Sequence, residues 1–155
     1  MQLVQEKTML HEFAEQNYEN LLNIIRDLCA IPAPSHMERR RAEYCLKWLE
    51  KAGATGAYLD GVNNVILPIE CEGSSAITIV AAHTDTVFPD IESYPEFHED
   101  DEKIYCPGVG DDTMSVAVLL LSAEYFIDNS IVPKGGILFV CNVCEEGLGN
   151  LKGVK

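Results

Sequence analysis

Near the start of the chain, apolar residues fall at Leu10, Phe13, Ala14, Tyr18, Leu21, Leu22, Ile25 and Leu28. Steps of three and four bring them onto one face, so the spacing predicts a buried helix within residues 8–30. Pro32 and Pro34 stop that pattern. Ser35 followed by Glu38 reads as a capping box that opens a second helix to about Lys51, with Ala42, Cys45, Leu46 and Leu49 inward. Gly53 closes it. Arg39-Arg40-Arg41 lies opposite that apolar stripe and reads as a solvated helix side.

The period then shortens. Two β-type runs, 56–60 and 64–69, flank Gly61-Val62-Asn63, a hairpin-like turn. Residues 75–82 are apolar at almost every position and end at His83, the pattern of a strand covered on both faces. From Phe88 to Tyr105 the chain is acidic and irregular, with Pro89, Pro95 and Glu99-Asp100-Asp101-Glu102; a loop with at most one short strand is expected. Residues 112–128 return to helix, with Val116, Val118, Leu119, Leu120, Ala123 and Phe126 apolar, and 136–143 form a second buried strand running into Glu145-Glu146. Alternating strands and helices favour the α/β class, here a three-layer sandwich around a mixed, mostly parallel sheet. Sites in such sheets gather beyond the carboxyl ends of the strands.

At 155 residues and 47% apolar, the chain is one domain's worth with enough apolar side chain for a core. Eleven basic against 25 acidic residues leave a formal net charge of −14, which repels phosphate backbones and anionic membranes. Nucleic acid and lipid are therefore poor partners, and the charge is compatible with carboxylates gathered around cations. The N-terminus has no basic-then-apolar leader pattern, and no apolar run approaches the roughly 20 residues that span a bilayer. Without an export signal the six cysteines are expected to stay reduced, in a cytoplasmic protein.

Three short stretches carry candidate chemistry. In His83-Thr84-Asp85 an imidazole ends a strand, and a carboxylate two residues later projects to the same side. Such a carboxylate fixes the tautomer of a metal-binding histidine, although a histidine beside a turn aspartate has the same look. Asp111-Asp112 follows Gly108-Val109-Gly110 at the mouth of a helix. One aspartate serves as a helix cap; a second beside it is better explained by a cation, and one carboxylate has the two oxygens needed to bridge a metal pair. Glu145-Glu146-Gly147 is read either as solvated surface or as a ligand beside a proton acceptor, and the second requires a turn at Gly147 to bring both side chains to one place.

Cys141-Asn142-Val143-Cys144 has zinc-finger spacing without a second pair, and reads as packing along a buried strand. His11, His36 and His98 stand without clustered partners, and the acidic loop at 96–102 reads as solvated.

Taken in order, His83-Thr84-Asp85-Thr86-Val87-Phe88-Pro89, Pro107-Gly108-Val109-Gly110-Asp111-Asp112-Thr113 and Glu145-Glu146-Gly147-Leu148-Gly149-Asn150-Leu151-Lys152-Gly153 resemble successive motifs of one family. It is the zinc-dependent peptidase and deacylase family of peptidase T, glutamate carboxypeptidase, aminoacylase and succinyl-diaminopimelate desuccinylase. The resemblance runs from about Leu21 onward, and Ile31-Pro32-Ala33-Pro34-Ser35 is similar to the family's opening segment. It implies a site for two zinc ions, with His83 and Glu146 as outer ligands and Asp111 as the bridging carboxylate. It also implies Glu145 as general base and Asp85 as the residue orienting His83. The implied reaction is hydrolysis of an amide in a short peptide, as in a tripeptide aminopeptidase, or in an N-acylated amino acid. Cobalt or manganese also suits such donors.

After Asp112, where many relatives carry Lys or Arg with Gly, this chain has Thr113-Met114-Ser115. The family's remaining ligands and its lid or dimerisation domain lie beyond the glutamate pair. Residues 1–155 are accordingly expected to be the N-terminal part of a catalytic domain, inactive alone and, with an exposed sheet edge, open to homodimerisation. The competing class is a non-catalytic peptide- or metal-binding module, against which stands Glu145, a residue that a ligand at Glu146 does not need.

Overall fold

The computed structural model describes residues 2–88 and 97–155. Two helices, α1 (Gln2–Gln16) and α2 (Tyr18–Cys29), precede α3 (Arg39–Lys51). The strands β1 (Tyr58–Leu59), β2 (Val65–Ile69) and β3 (Ile77–His83) follow, then a small ribbon of β4 (His98–Glu99) and β5 (Ile104–Tyr105). A π-turn at Val109–Thr113 leads into α4 (Met114–Asp128), and β6 (Gly136–Asn142) precedes two single helical turns.

The helix expected within 8–30 is broken at Asn17 (φ −100°, ψ 9°), whose side-chain amide donates to the Phe13 carbonyl. A short polar side chain that bonds its own backbone competes with helix continuation. Leu10 and Tyr18 stay largely exposed, and the buried face begins at Ile24, Ile25, Leu28 and Cys29. Helix α3 buries Ala42, Cys45 and Leu49 as its stripe predicts, and the chain leaves it through Gly53 at φ +91°, where a Cβ would be strained.

The main sheet has the order β1-β2-β6-β3. The turn at 61–63 makes β1 and β2 a hairpin, and β2 also runs antiparallel to β6 (Val65 opposite Cys141). Only β3 and β6 are parallel, in register from Ile77 opposite Gly136 to His83 opposite Asn142. The sheet is mixed as expected, but its pairings are mostly antiparallel rather than mostly parallel, because a short hairpin turn reverses the chain where a crossover helix would have preserved direction.

Val65 and Leu67 of β2, Phe139 and Cys141 of β6, and Ala82 of β3 share one face, where they pack with α2, α3 and α4 into a single core. On the other face Ile66, Leu138 and Val140 are half-buried, while Ile77 and Ile79 are 50% and 64% exposed. Among the described residues the helices thus cover one face of the sheet, and the third layer of the expected sandwich is not seen. Strand β3 is an edge here, not a strand covered on both faces; an apolar run cannot distinguish the two situations.

Within the acidic stretch, the described part forms the β4–β5 ribbon, two short strands where one at most was expected. Pro89 and Pro95 lie outside the described residues. No described helix is long and apolar enough to cross a membrane.

Candidate metal centre

Strands β3 and β6 are parallel, so their carboxyl ends lie side by side, and the π-turn before α4 arrives at the same end. That topology collects His83, Asp85, Asp111, Glu145 and Glu146. Nε2 of His83 lies 3.0 Å from Asp111 Oδ1 and 3.9 Å from Glu145 Oε2. One donor atom each from His83, Glu145 and Glu146 falls within 4.8 Å of the others, a grouping able to hold a metal ion. Glu145, expected as a base only, thus shares this grouping with the expected ligand Glu146.

The imidazole is oriented from behind. Its Nδ1 faces the Asp85 backbone carbonyl at 3.1 Å, with the Asp85 carboxylate at 3.6 Å. A carbonyl only accepts, so Nδ1 carries a proton, and Nε2, which faces the Asp111 carboxylate at 3.0 Å, is the nitrogen left for a cation to take in exchange for its proton. Asp85 does more than steady the ring. Wholly buried, its carboxylate accepts the Ser35 hydroxyl at 2.7 Å and the backbone N–H groups of Glu145 and Glu146 at 3.0 Å each. Burial pushes its carboxyl up, but His83, Ser35 and the two N–H groups together hold it well below the usual carboxylate range.

Asp111 and Asp112 divide their work. Asp112 accepts the His83 backbone N–H at 3.1 Å, whereas Asp111 points its carboxylate at Nε2 and leaves 80% of its side chain exposed. Gly108 ahead of them has φ +70°, and a Cβ there would come within 2.5 Å of the Thr86 methyl. Glycine is required for the loop to pass over Thr86.

Glu146 carries the mark of crowded like charges: burial and then Asp111 raise its pKa, against the lowering effect of His83. For His83, burial alone would lower the pKa, but Asp85, Asp111 and Asp112 outweigh it and push the imidazole up to about 9. One imidazole amid four carboxylates wants a positive charge between them. An O,N donor set without thiolate fits zinc or a similar divalent ion. A cleft of about 370 Å³ opens beside Glu146, walled by Pro34, Met37, Thr86 and Val87.

The chain has a positive φ of 57° at Cys144, just before the glutamate pair, and a single helical turn begins at Gly147, just after it. Several supporting residues escape sequence reasoning. Ser35 and Glu38 do not form a capping box: Ser35 donates to Asp85, and Glu38 accepts from Cys144. Arg41 is not solvated with its neighbours. It is 2% exposed, and it donates to the carbonyls of Ile31 and Thr84 and to the Thr113 hydroxyl. It therefore ties the segment carrying His83 and Asp85 to the one carrying Asp111 and Asp112. The other histidines have partners too: His36 Nδ1 lies 3.4 Å from the Cys144 sulfur, His11 pairs with Glu15, and His98 stacks on Tyr105. Cys141 and Cys144 are buried, as expected of packing residues.

Residues 79–155, about half of the chain, match the model of peptidase family M20/M25/M40. Among solved structures, the chain is similar to aminopeptidase PepT from Bacillus cereus, at 22% identity over 88% of this chain and 39% of that one, with a TM-score of 0.66. A tripeptidase from Staphylococcus aureus is similar at 24% identity, over 88% of this chain and 39% of that one, with a TM-score of 0.63. The Bacillus subtilis YXEP protein, described as a dinuclear metal-binding peptidase of the M20 family, is 15% identical over 90% of this chain and 40% of its own, with a TM-score of 0.61. These likenesses show the fold, and the chain spans about two fifths of the length of those proteins. No curated protein sequence matches.

Proposed function

This chain belongs to peptidase family M20/M25/M40, and from that premise we propose that it supplies part of the active site of a dinuclear zinc peptidase acting on short peptides. The observation that carries the proposal is the convergence of His83, Asp111, Glu145 and Glu146 at the adjoining ends of two parallel strands. His83, Glu146 and Asp111, whose side chain is 80% exposed, would hold the zinc pair. Bound there, a zinc pair supplies Lewis acidity that favours ionisation of water and polarises the scissile carbonyl.

The protein's own groups do the rest. Glu145 takes the proton from the attacking water and returns it to the leaving amine. Asp85 holds the His83 ring from one side and the backbone of Glu145 and Glu146 from the other, so the ligand and the base share one support. The cleft beside Glu146 receives an apolar substrate side chain against Pro34, Met37 and Val87. A reduced, cytoplasmic setting suits the six free thiols. Turnover is assigned to the whole protein, since this chain covers 39% of PepT and 39% of the tripeptidase.

The test is product analysis with the whole zinc-loaded protein. Release of free amino acids from tripeptides is expected; acetate or succinate released from acylated amino acids instead would make it a deacylase, and neither product would sink both assignments. Glu145→Gln should keep its zinc and lose about 10²–10⁴-fold in kcat. Turnover that survives this change would remove Glu145 from the role of base.

A further inference from the structure

Beyond β6 the chain stops making sheet hydrogen bonds, yet its next N–H groups stay engaged. Four consecutive N–H groups each find a side-chain oxygen. Val143 donates to Asn64 Oδ1 at 3.0 Å, Cys144 to Glu38 Oε1 at 3.0 Å, and Glu145 and Glu146 to the two oxygens of Asp85. Asn64, Glu38 and Asp85 are all nearly or wholly buried. Buried N–H groups need partners, and here they come from three separate segments, so the path of residues 143–146 is set from outside the strand.

Glu38 occupies the decisive place in that row. Its Oε1 accepts the backbone N–H of Cys144 at 3.0 Å, the Cys144 thiol at 3.3 Å and the His36 backbone N–H at 2.9 Å. Cys144 has a positive φ of 57°, a conformation that costs a side-chain-bearing residue about 1–2 kcal/mol and persists only when its surroundings impose it. That residue directly precedes Glu145, so its conformation sets the direction in which the chain carries Glu145 to within 3.9 Å of His83. Glu38 has been freed from capping α3 to do this, since no side-chain cap bond is made there.

We propose that Glu38 is a positioning residue for the reaction, holding the Cys144 turn so that the Glu145 carboxylate stands where it can exchange a proton with the attacking water. The assignment rests on the reading of Glu145 as general base. Glu38 touches neither substrate nor metal; it acts through one backbone N–H and one thiol.

The test uses the whole protein. Glu38→Asp draws the acceptor back by one methylene while keeping charge and burial, and should lower kcat about 10–100-fold with KM within about threefold, the effect of a misplaced catalytic group. Glu38→Gln keeps an acceptor oxygen in place and should recover kcat to within about fivefold. In the metal-free protein, amide exchange at residues 143–146 should quicken about tenfold or more in Glu38→Asp and hardly at all in Glu38→Gln. Combined with Glu145→Gln, Glu38→Asp should cost nothing further, because the group it positions is gone. Wild-type kcat in Glu38→Asp, or a full multiplied loss in the double variant, overturns the proposal. If Glu145→Gln itself turns over normally, the general-base reading fails and takes this one with it. If Glu145→Gln is silent while Glu38→Asp leaves kcat and exchange unchanged, only the role of Glu38 fails.

Discussion

Asp85 and Asp111 flank one imidazole. Asp85 is wholly buried and accepts hydrogen bonds from Ser35, Glu145 and Glu146, whereas Asp111 contacts His83 Nε2 and leaves 80% of its side chain exposed. A carboxylate with both oxygens committed to protein donors is support. One that stands free behind two glycines has oxygens to give to cations. The same side chain thus serves as scaffold on one side of the ring and as candidate ligand on the other, and the difference lies in which donors the fold aims at it.

That contrast predicts opposite signatures. Asp111→Ala should remove the bridging ligand and cut turnover about 10³-fold or more, the loss of several kcal/mol of Lewis-acid assistance, while the metal-free protein melts as before. Asp85→Ala should show the reverse emphasis. Turnover falls about 10–100-fold, and each buried donor left without a partner costs about 1–3 kcal/mol, so the metal-free melting temperature drops by several degrees. Equal melting losses in the two variants, measured by calorimetry, would erase the distinction. Ser35→Ala removes only one of the bonds to Asp85 and should cost about 1 kcal/mol with less than about tenfold in turnover.

The smallest effect is one of pH. Folding raises the His83 pKa from 6.5 to about 9, so in the metal-free protein this group's contribution to stability is complete below about pH 6.5 and is lost as pH rises through about 9. A cation taking Nε2 must displace that proton, so zinc affinity should climb about tenfold per pH unit up to about pH 9. An affinity independent of pH between 7 and 9, by titration against a chelator, would show that His83 holds no proton that the metal displaces.

The parts legible in the sequence are those written in local pattern. Helix α3, the β1–β2 hairpin, α4 and β6 all follow from apolar period and turn chemistry, and the residues gathered at the strand ends follow from the α/β rule for sites. Long-range hydrogen bonding is what pattern could not reach. Ser35 and Glu38 satisfy the spacing of a capping box, yet partners 50 and 106 positions away take them instead. Arg41 sits in a run of three arginines and differs from its neighbours only because helix rotation turns it toward Thr84 and Thr113. A polar residue one turn from the inward Ala42–Cys45 stripe was the available signal. The edge position of β3 was invisible for another reason: Ile77, Ile79 and Val80 have the apolar run of a covered strand while remaining exposed among the described residues.

Metal stoichiometry of three forms of the whole protein decides the central assignment most directly. After equilibration with dilute zinc, wild type should hold two ions per chain, Asp111→Ala at most one, and Glu145→Gln two with turnover lost. Two tightly held zincs in Asp111→Ala, or loss of zinc in Glu145→Gln, would contradict the division of these carboxylates into bridge and base.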